Sequence, residues 1–472
     1  MSITKTAAKG FSWTASSTLI RAGLQIAQLL IVARFLSAAE LGVLAIVNLV
    51  VGFAQIFGDA GLSNAIIYHK ELNAKQLNHL YIINIMLGLG LTMCVVLLAL
   101  PISFFFDMPA LSQLLVALSP VFFIRSFIQQ PMARLQQEFK FRVLAKAETI
   151  AAVIGFISLL ICLQLELRMT AIVLSQLIAA SCLAFIILKT SGCKRPQLEW
   201  PEWKPIRKPI KYGLYQSAEA CVNFFSAQFD QLLIGKLMGA ETLGIYSYIK
   251  SLVFRPAMQL INPVVHKVTF PLMSHYKDQH AIGDIYWQIL RVLSLLNLPL
   301  YMAFVLYPEA ILGLIFGESW VEHGMILRWL AVYMLFISLI NPIGAMLRAT
   351  GEVKRGFWWN IVVTITRPAM VLVGYPFGLI WIVKALVFQQ IILFFVHWLV
   401  LVRPVSHLSF MRFISAFKQS ILLCLVSLLM VLSIKFILPS IADLTQAVLL
   451  AGVYGLMLLP IARNIIQEIR NK

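Results

Sequence analysis

Charge is scarce in this chain, and acid is scarcer than base. Only 12% of its 472 residues are Asp, Glu, Lys or Arg, and 20 acidic residues face 38 basic ones. The cysteines, Cys94, Cys162, Cys182, Cys193, Cys221 and Cys424, show no paired spacing, which argues against a disulfide framework and a thiolate metal site. Eight histidines fall into no ligand spacing on one helix face, and no Gly-rich phosphate loop occurs. The sequence therefore predicts no ATP hydrolysis, no catalytic metal and no bound cofactor.

What the chain has instead is apolar length. Hydrophobic residues make up 60% of it and mean hydropathy is +0.87, values outside the range of soluble globular domains. Apolar runs of about 20 residues recur from end to end, each able to cross a hydrocarbon core of roughly 30 Å. They must be helical, because lipid offers no partner to a free backbone N–H or C=O. The first run contains Arg21, Gln25 and Gln28 and lacks a small-residue cleavage site, so it is expected to be retained and not removed as a signal.

The expected spans are 14–36, 41–61, 77–100, 111–132, 147–165, 169–188 and 213–237, then 243–265, 286–307, 325–347, 356–375, 378–402, 417–438 and 441–462. With a cytoplasmic N-terminus, about 26 of the 38 Lys and Arg fall on that face and about 4 on the other, as the positive-inside rule requires. This reading puts both termini in the cytoplasm and explains the net charge of +18 without nucleic acid. Loops on the outer face are short, leaving no room for a catalytic domain.

The sequence also repeats. Arg34 to Val43, Arg-Phe-Leu-Ser-Ala-Ala-Glu-Leu-Gly-Val, matches Lys236 to Ile245, Lys-Leu-Met-Gly-Ala-Glu-Thr-Leu-Gly-Ile, at an offset of 202 that also pairs Lys9 with Lys211 and Trp13 with Tyr215. Six spans separate the copies, so they run parallel about an axis along the membrane normal. The expected plan is an all-α membrane protein with a six-helix lobe at 1–189 and a basic, Pro-rich linker at 190–212 read as extended. A second six-helix lobe follows at 213–402, and 403–472 supplies two additional helices and a short tail.

Within the spans lie Arg21, Arg125, Lys250, Arg255, Arg328, Arg367 and Lys384, opposed by Asp59, Glu219 and Asp230. An intramembrane charge costs on the order of 2.5–3.5 kcal/mol on insertion scales, so each needs a wet cavity, a partner or a route to the interface. The imbalance points to a cavity for a polyanion, since a guanidinium can fork two hydrogen bonds onto phosphate. Arg21, Arg125, Lys250, Arg255, Arg367 and Lys384 are the candidate substrate-binding cations. Asp59, Glu219 and Asp230 are candidate counter-ions or coupling sites for H+ or Na+; Asp230 could instead pair with Lys236 or Arg34. Arg255-Pro256 and Arg367-Pro368 each place a cation beside a helix breaker.

Three segments carry a resemblance. Phe229 to Ser247 (Phe-Asp-Gln-Leu-Leu-Ile-Gly-Lys-Leu-Met-Gly-Ala-Glu-Thr-Leu-Gly-Ile-Tyr-Ser), Gly58 to Ala65 and Lys70 to Leu77 resemble motifs of the Wzx-type polysaccharide flippases, in particular the colanic-acid-exporter branch. These belong to the superfamily that includes multidrug exporters. The resemblance implies a MATE-like fold of fourteen helices in a bacterial inner membrane. It implies a transporter, not an enzyme, that moves undecaprenyl-diphosphate-linked oligosaccharide units from the cytoplasmic to the periplasmic leaflet by alternating access. Membrane lipids, a polysaccharide polymerase and chain-length machinery are the partners it implies. A lipid II flippase, a cation-coupled multidrug exporter and a membrane polysaccharide polymerase or ligase are the competing readings.

Overall fold

The computed structural model describes residues 3–59, 61–63, 66, 72–192, 203–263, 265, 273, 279–438 and 442–470. Among these residues every regular element is helical. The first six crossings are α1 (Ile3–Phe35), α2 (Ala38–Asp59), α3 (Ala74–Phe106), the pair α4 (Pro109–Leu118) and α5 (Pro120–Gln137), α6 (Phe141–Gln164) and α7 (Arg168–Thr190). Then follow α8 (Trp203–Arg255), α9 (Gln279–Leu306), α10 (Gly324–Ile340), α11 (Val353–Gly374), α12 (Leu379–His397), α13 (Phe410–Ile437) and α14 (Asp443–Arg470).

Local signals set several boundaries. Asn73 and Gln76 form a capping box at the start of α3: Gln76 N–H donates to Asn73 Oδ1 at 2.8 Å, and Asn73 N–H donates to Gln76 Oε1 at 3.0 Å. The same helix ends on Asp107, in the left-handed conformation at φ 56°. Pro109 and Pro120 occupy first-turn positions of α4 and α5, where a missing N–H costs nothing.

Among the described residues, twelve helical stretches are long and apolar enough to cross a bilayer. The polar α8 is not among them, yet its 53 residues are broken at Gly239, whose φ of 83° ends one helix and begins the next. Spans seven and eight lie in its two arms, which brings the crossings to fourteen.

The structure departs from the expected plan in three places. The linker from residue 203 onward is helical, not extended: Pro205 falls in the first turn of α8, where it is tolerated, and Pro209 is carried inside the helix; residues 193–202 lie outside the described set. The expected outer loop after Pro101 is helical as far as Phe106. The loop 308–324 is filled by a short helix, Pro308–Phe316, and a 3-10 segment, Glu318–His323.

The chain divides into two compact units, Met1–Ser247 and Tyr248–Lys472. In the first, α6 packs on α1 and α7, and α3 on α5. The two copies of the repeat touch within this unit. A β-carbon added to Gly42 would lie 1.7 Å from the Ala240 carbonyl oxygen, and one added to Gly244 would lie 1.8 Å from that of Ala38. Only glycine permits either approach.

In the second unit the core centres on α9, with Tyr286, Leu290, Leu293, Phe394, Phe413 and Phe417 buried together. The two helices without a repeat counterpart are built into it. Ser294 and Ser420 hydroxyls meet at 2.7 Å, Arg291 Nε donates to Gln419 Oε1 at 2.9 Å, and Tyr454 donates to the Leu295 carbonyl at 2.8 Å. The proline beside Arg255 opens a π-helical turn, Pro256–Ile261, whereas Pro368 sits inside an unbroken α11.

Candidate anion site in the first unit

Two of the six nominated cations share one cavity. Arg21 of α1 and Arg125 of α5 line an open-sided space of about 480 Å³ that α6 and α7 also wall. Gln129 and Gln136 of α5 and Gln176 of α7 add neutral amides, and the remaining wall is largely alanine with Ile128, Met132 and Leu183. Volume and lining suit a small polar head carrying an apolar neighbour.

A residue absent from the sequence-based list completes the site. Glu148 of α6 receives Arg21 Nη1 at 2.8 Å. The pair is anchored by its surroundings: the Ser17 hydroxyl, one turn from Arg21, donates to the Ala145 carbonyl at 3.2 Å, and the hydroxyl of Thr149, next to Glu148, donates to Ser17 at 2.9 Å. Side-chain exposures of 33% for Arg21 and 25% for Glu148 leave the pair partly wet, where such contacts contribute on the order of 1 kcal/mol. The buried Nε of Arg21 has no hydrogen-bond partner among the described residues. Arg125 takes part in no hydrogen bond or ion pair among the described residues. Glu148 was missed because it stands at the margin of its apolar run; the signal available was the helical continuation back through Lys146 to Phe141.

The other nominated residues are placed as follows. Lys250 is buried on α8, and Arg255 is its last residue, before the π-helical turn. The Arg367 guanidinium on α11 stands 5.9 Å from the centre of the Tyr333 ring. Lys384 of α12 lies 4.5 Å from the Trp381 ring and 5.6 Å from the Trp329 ring, a cation between two indoles. Arg328, weighed with them, bonds to the Val305 carbonyl at 3.0 Å and lies 3.7 Å from Glu309.

Among the acids, Asp59 is the final residue of α2 and its side chain lies outside the described set. Glu219 is exposed on α8. Asp230 is fully buried and accepts a hydrogen bond from the Tyr246 hydroxyl at 2.5 Å. Lys236, an expected partner for Asp230, instead donates to Asp107 Oδ2 at 3.0 Å. The tyrosine lies one helix arm beyond the Gly239 break, and that fold-back brings it to the carboxylate.

Comparison with known proteins agrees with this architecture. The lipid II flippase MurJ, in an inward closed conformation, superposes with a TM-score of 0.77 over 96% of this chain and 99% of that one, at 15% identity. An inward-facing multidrug resistance MATE family transporter of the MOP superfamily gives 0.64 over 83% and 95%, also at 15% identity. These likenesses establish the fold. In sequence, the lipopolysaccharide biosynthesis protein WzxC of Escherichia coli (strain K12) is 27% identical over 88% of this chain and 84% of its own length. The teichuronic acid biosynthesis protein TuaB of Bacillus subtilis (strain 168) is 29% identical over 76% and 74%. Residues 31–325, more than half the chain, match the family described as polysaccharide biosynthesis protein, and this multi-pass membrane chain belongs to that family.

Proposed function

We propose that this chain is a flippase that carries an undecaprenyl-diphosphate-linked oligosaccharide from the cytoplasmic to the periplasmic leaflet of a bacterial inner membrane. The observation that carries the reading is the cavity of the first unit, where Arg125, with no ion pair among the described residues, stands beside Arg21 and neutral amides. A diphosphate presents enough acceptor oxygens to engage both guanidiniums, and the amides suit sugar hydroxyls. Relatives named for lipopolysaccharide and teichuronic acid biosynthesis support a substrate of surface-polysaccharide chemistry.

In this reading the protein moves its cargo without covalent chemistry, by alternating access. Lys250, Arg255, Arg367 and Lys384 are further stations for the anion. Asp59, Glu219 and Asp230 are the carboxylates through which a proton or sodium gradient acts. Both termini lie in the cytoplasm, by the asymmetry of Lys and Arg. A polymerase and its chain-length machinery receive the product.

The test is deletion of the gene, followed by analysis of lipid-linked oligosaccharides and surface polymer, with rescue by wild type and by Arg125→Glu. The expected result is an accumulated lipid-linked unit, lost surface polymer, rescue by wild type and none by the inserted variant. Unchanged polysaccharide with new drug sensitivity overturns the reading in favour of drug export.

A further inference from the structure

The cavity of the first unit contains its own anion. Its lining residues carry Arg21, Arg125 and Glu148, a formal charge of +1, with Glu148 occupying one guanidinium nitrogen of Arg21 and no ion pair to Arg125 among the described residues. From this arrangement we infer that Glu148 is a built-in competitor that sets the charge a ligand must have. It is a specificity-determining residue that admits a dianionic diphosphate and rejects a monoanion. The inference deepens the flippase reading and rests on it.

A monoanion docking on Arg125 neutralises the site and leaves the Arg21–Glu148 pair intact, so Arg21 contributes little to holding it. A diphosphate brings at least one more negative charge and more oxygens. It engages Arg125 and takes the Nη1 of Arg21 from the carboxylate, so both guanidiniums hold it. Displacement is feasible because the pair is partly exposed, so the released Glu148 carboxylate keeps water instead of becoming a buried, uncompensated charge. The Ser17, Thr149 and Ala145 bonds hold α1 against α6 while the exchange proceeds, so Arg21 remains in reach of the ligand. The charged groups lining the cavity from the surrounding helices are Arg21 on α1, Arg125 on α5 and Glu148 itself on α6; the lining residues of α7 carry no charge.

Without Glu148 the same space would hold two uncompensated guanidiniums and bind any phosphate. Its presence costs affinity for every anion but costs most for those too weakly charged to displace it. That is the logic of discrimination by a repulsive element built into an attractive site.

The experiment uses the purified full-length chain in phosphatidylcholine nanodiscs and titration calorimetry with three probes: inorganic pyrophosphate, dimethyl phosphate as a monoanion, and farnesyl diphosphate. Wild type is expected to prefer pyrophosphate to dimethyl phosphate. Glu148→Gln should bind dimethyl phosphate about tenfold more tightly, equivalent to ~1.4 kcal/mol, and shrink the preference. Glu148→Asp, which keeps the charge, should restore the preference, an outcome that a purely structural role for Glu148 does not produce. A wild-type preference retained in Glu148→Gln overturns the competitor role. Pyrophosphate affinity unchanged by Arg125→Gln, or absent from wild type, overturns the anion site and the flippase reading with it. Farnesyl diphosphate tighter than pyrophosphate supports a lipid-borne ligand, and equal affinities overturn that part.

Discussion

The backbone of Gly42 meets the carbonyl of Ala240 so closely that a β-carbon at Gly42 would sit 1.7 Å from the oxygen. The repeat maps residue 42 onto 244 and 38 onto 240, and Gly244 makes the same approach to Ala38. The two turns thus grip one another reciprocally, as a two-fold axis between parallel repeats demands.

Alanine at either glycine has to push two backbones apart. Gly42→Ala and Gly244→Ala are each expected to destabilise this arrangement by about 1–3 kcal/mol, with similar size because the sites are equivalent by symmetry. Scanning fluorimetry reads the loss. In a cysteine-free background, a probe cysteine at Ala38 should react faster with a membrane-impermeant maleimide in either variant. Equal rates in wild type and variants would show that the contact does not hold the turns closed.

Tyr246 and Asp230 make a second contact of consequence. Tyr246→Phe removes a donor from a fully buried carboxylate and is expected to cost about 1–3 kcal/mol. Asp107→Ala breaks the pair with Lys236, but the Asp107 side chain is 80% exposed, and the expected loss is below ~1 kcal/mol. Denaturation midpoints of the two variants, measured side by side, should differ in that order.

The seam between α9 and α13 supplies another test. Ser294→Ala deletes one hydroxyl of the Ser294–Ser420 contact and should lower stability by about 1 kcal/mol. Ser420→Leu inserts bulk at a position with no exposed surface and should pry α13 and α14 from α9. Limited proteolysis should then cut near residue 407, between α12 and α13, faster than in wild type.

Much of the fold was legible in the sequence. Apolar runs located the crossings because lipid forces each run to satisfy its own backbone. The repeat was read from Arg34–Gly42 and Lys236–Gly244, and the contact of Gly42 and Gly244 supplies the reason those residues recur. The Pro256 disturbance was visible, but whether a proline bends or merely interrupts depends on neighbouring packing, as the unbroken helix around Pro368 shows.

The candidate site was half legible. Arg21 and Arg125 stood out as charges in apolar runs, yet nothing in a single sequence says that two such charges share a cavity. Glu148 stayed hidden at the margin of its apolar run, although it lies two turns inside α6. For Asp230 the sequence left ion coupling or a pair with Lys236 or Arg34 open; Lys236 bonds to Asp107, and the fold-back at Gly239 brings the Tyr246 hydroxyl to the carboxylate. Side chains that meet through tertiary turns leave no periodic trace.

The reciprocal glycine contact also bears on how such a chain tolerates change. In a half-length ancestor pairing with a second copy of itself, one glycine would make both approaches, and a single mutation would alter them together. Once the halves are fused, each glycine drifts independently, and losing either one spoils a closure that needs both. A fused pair of repeats thus presents twice the mutational target of a self-pairing half at this position, without any redundancy.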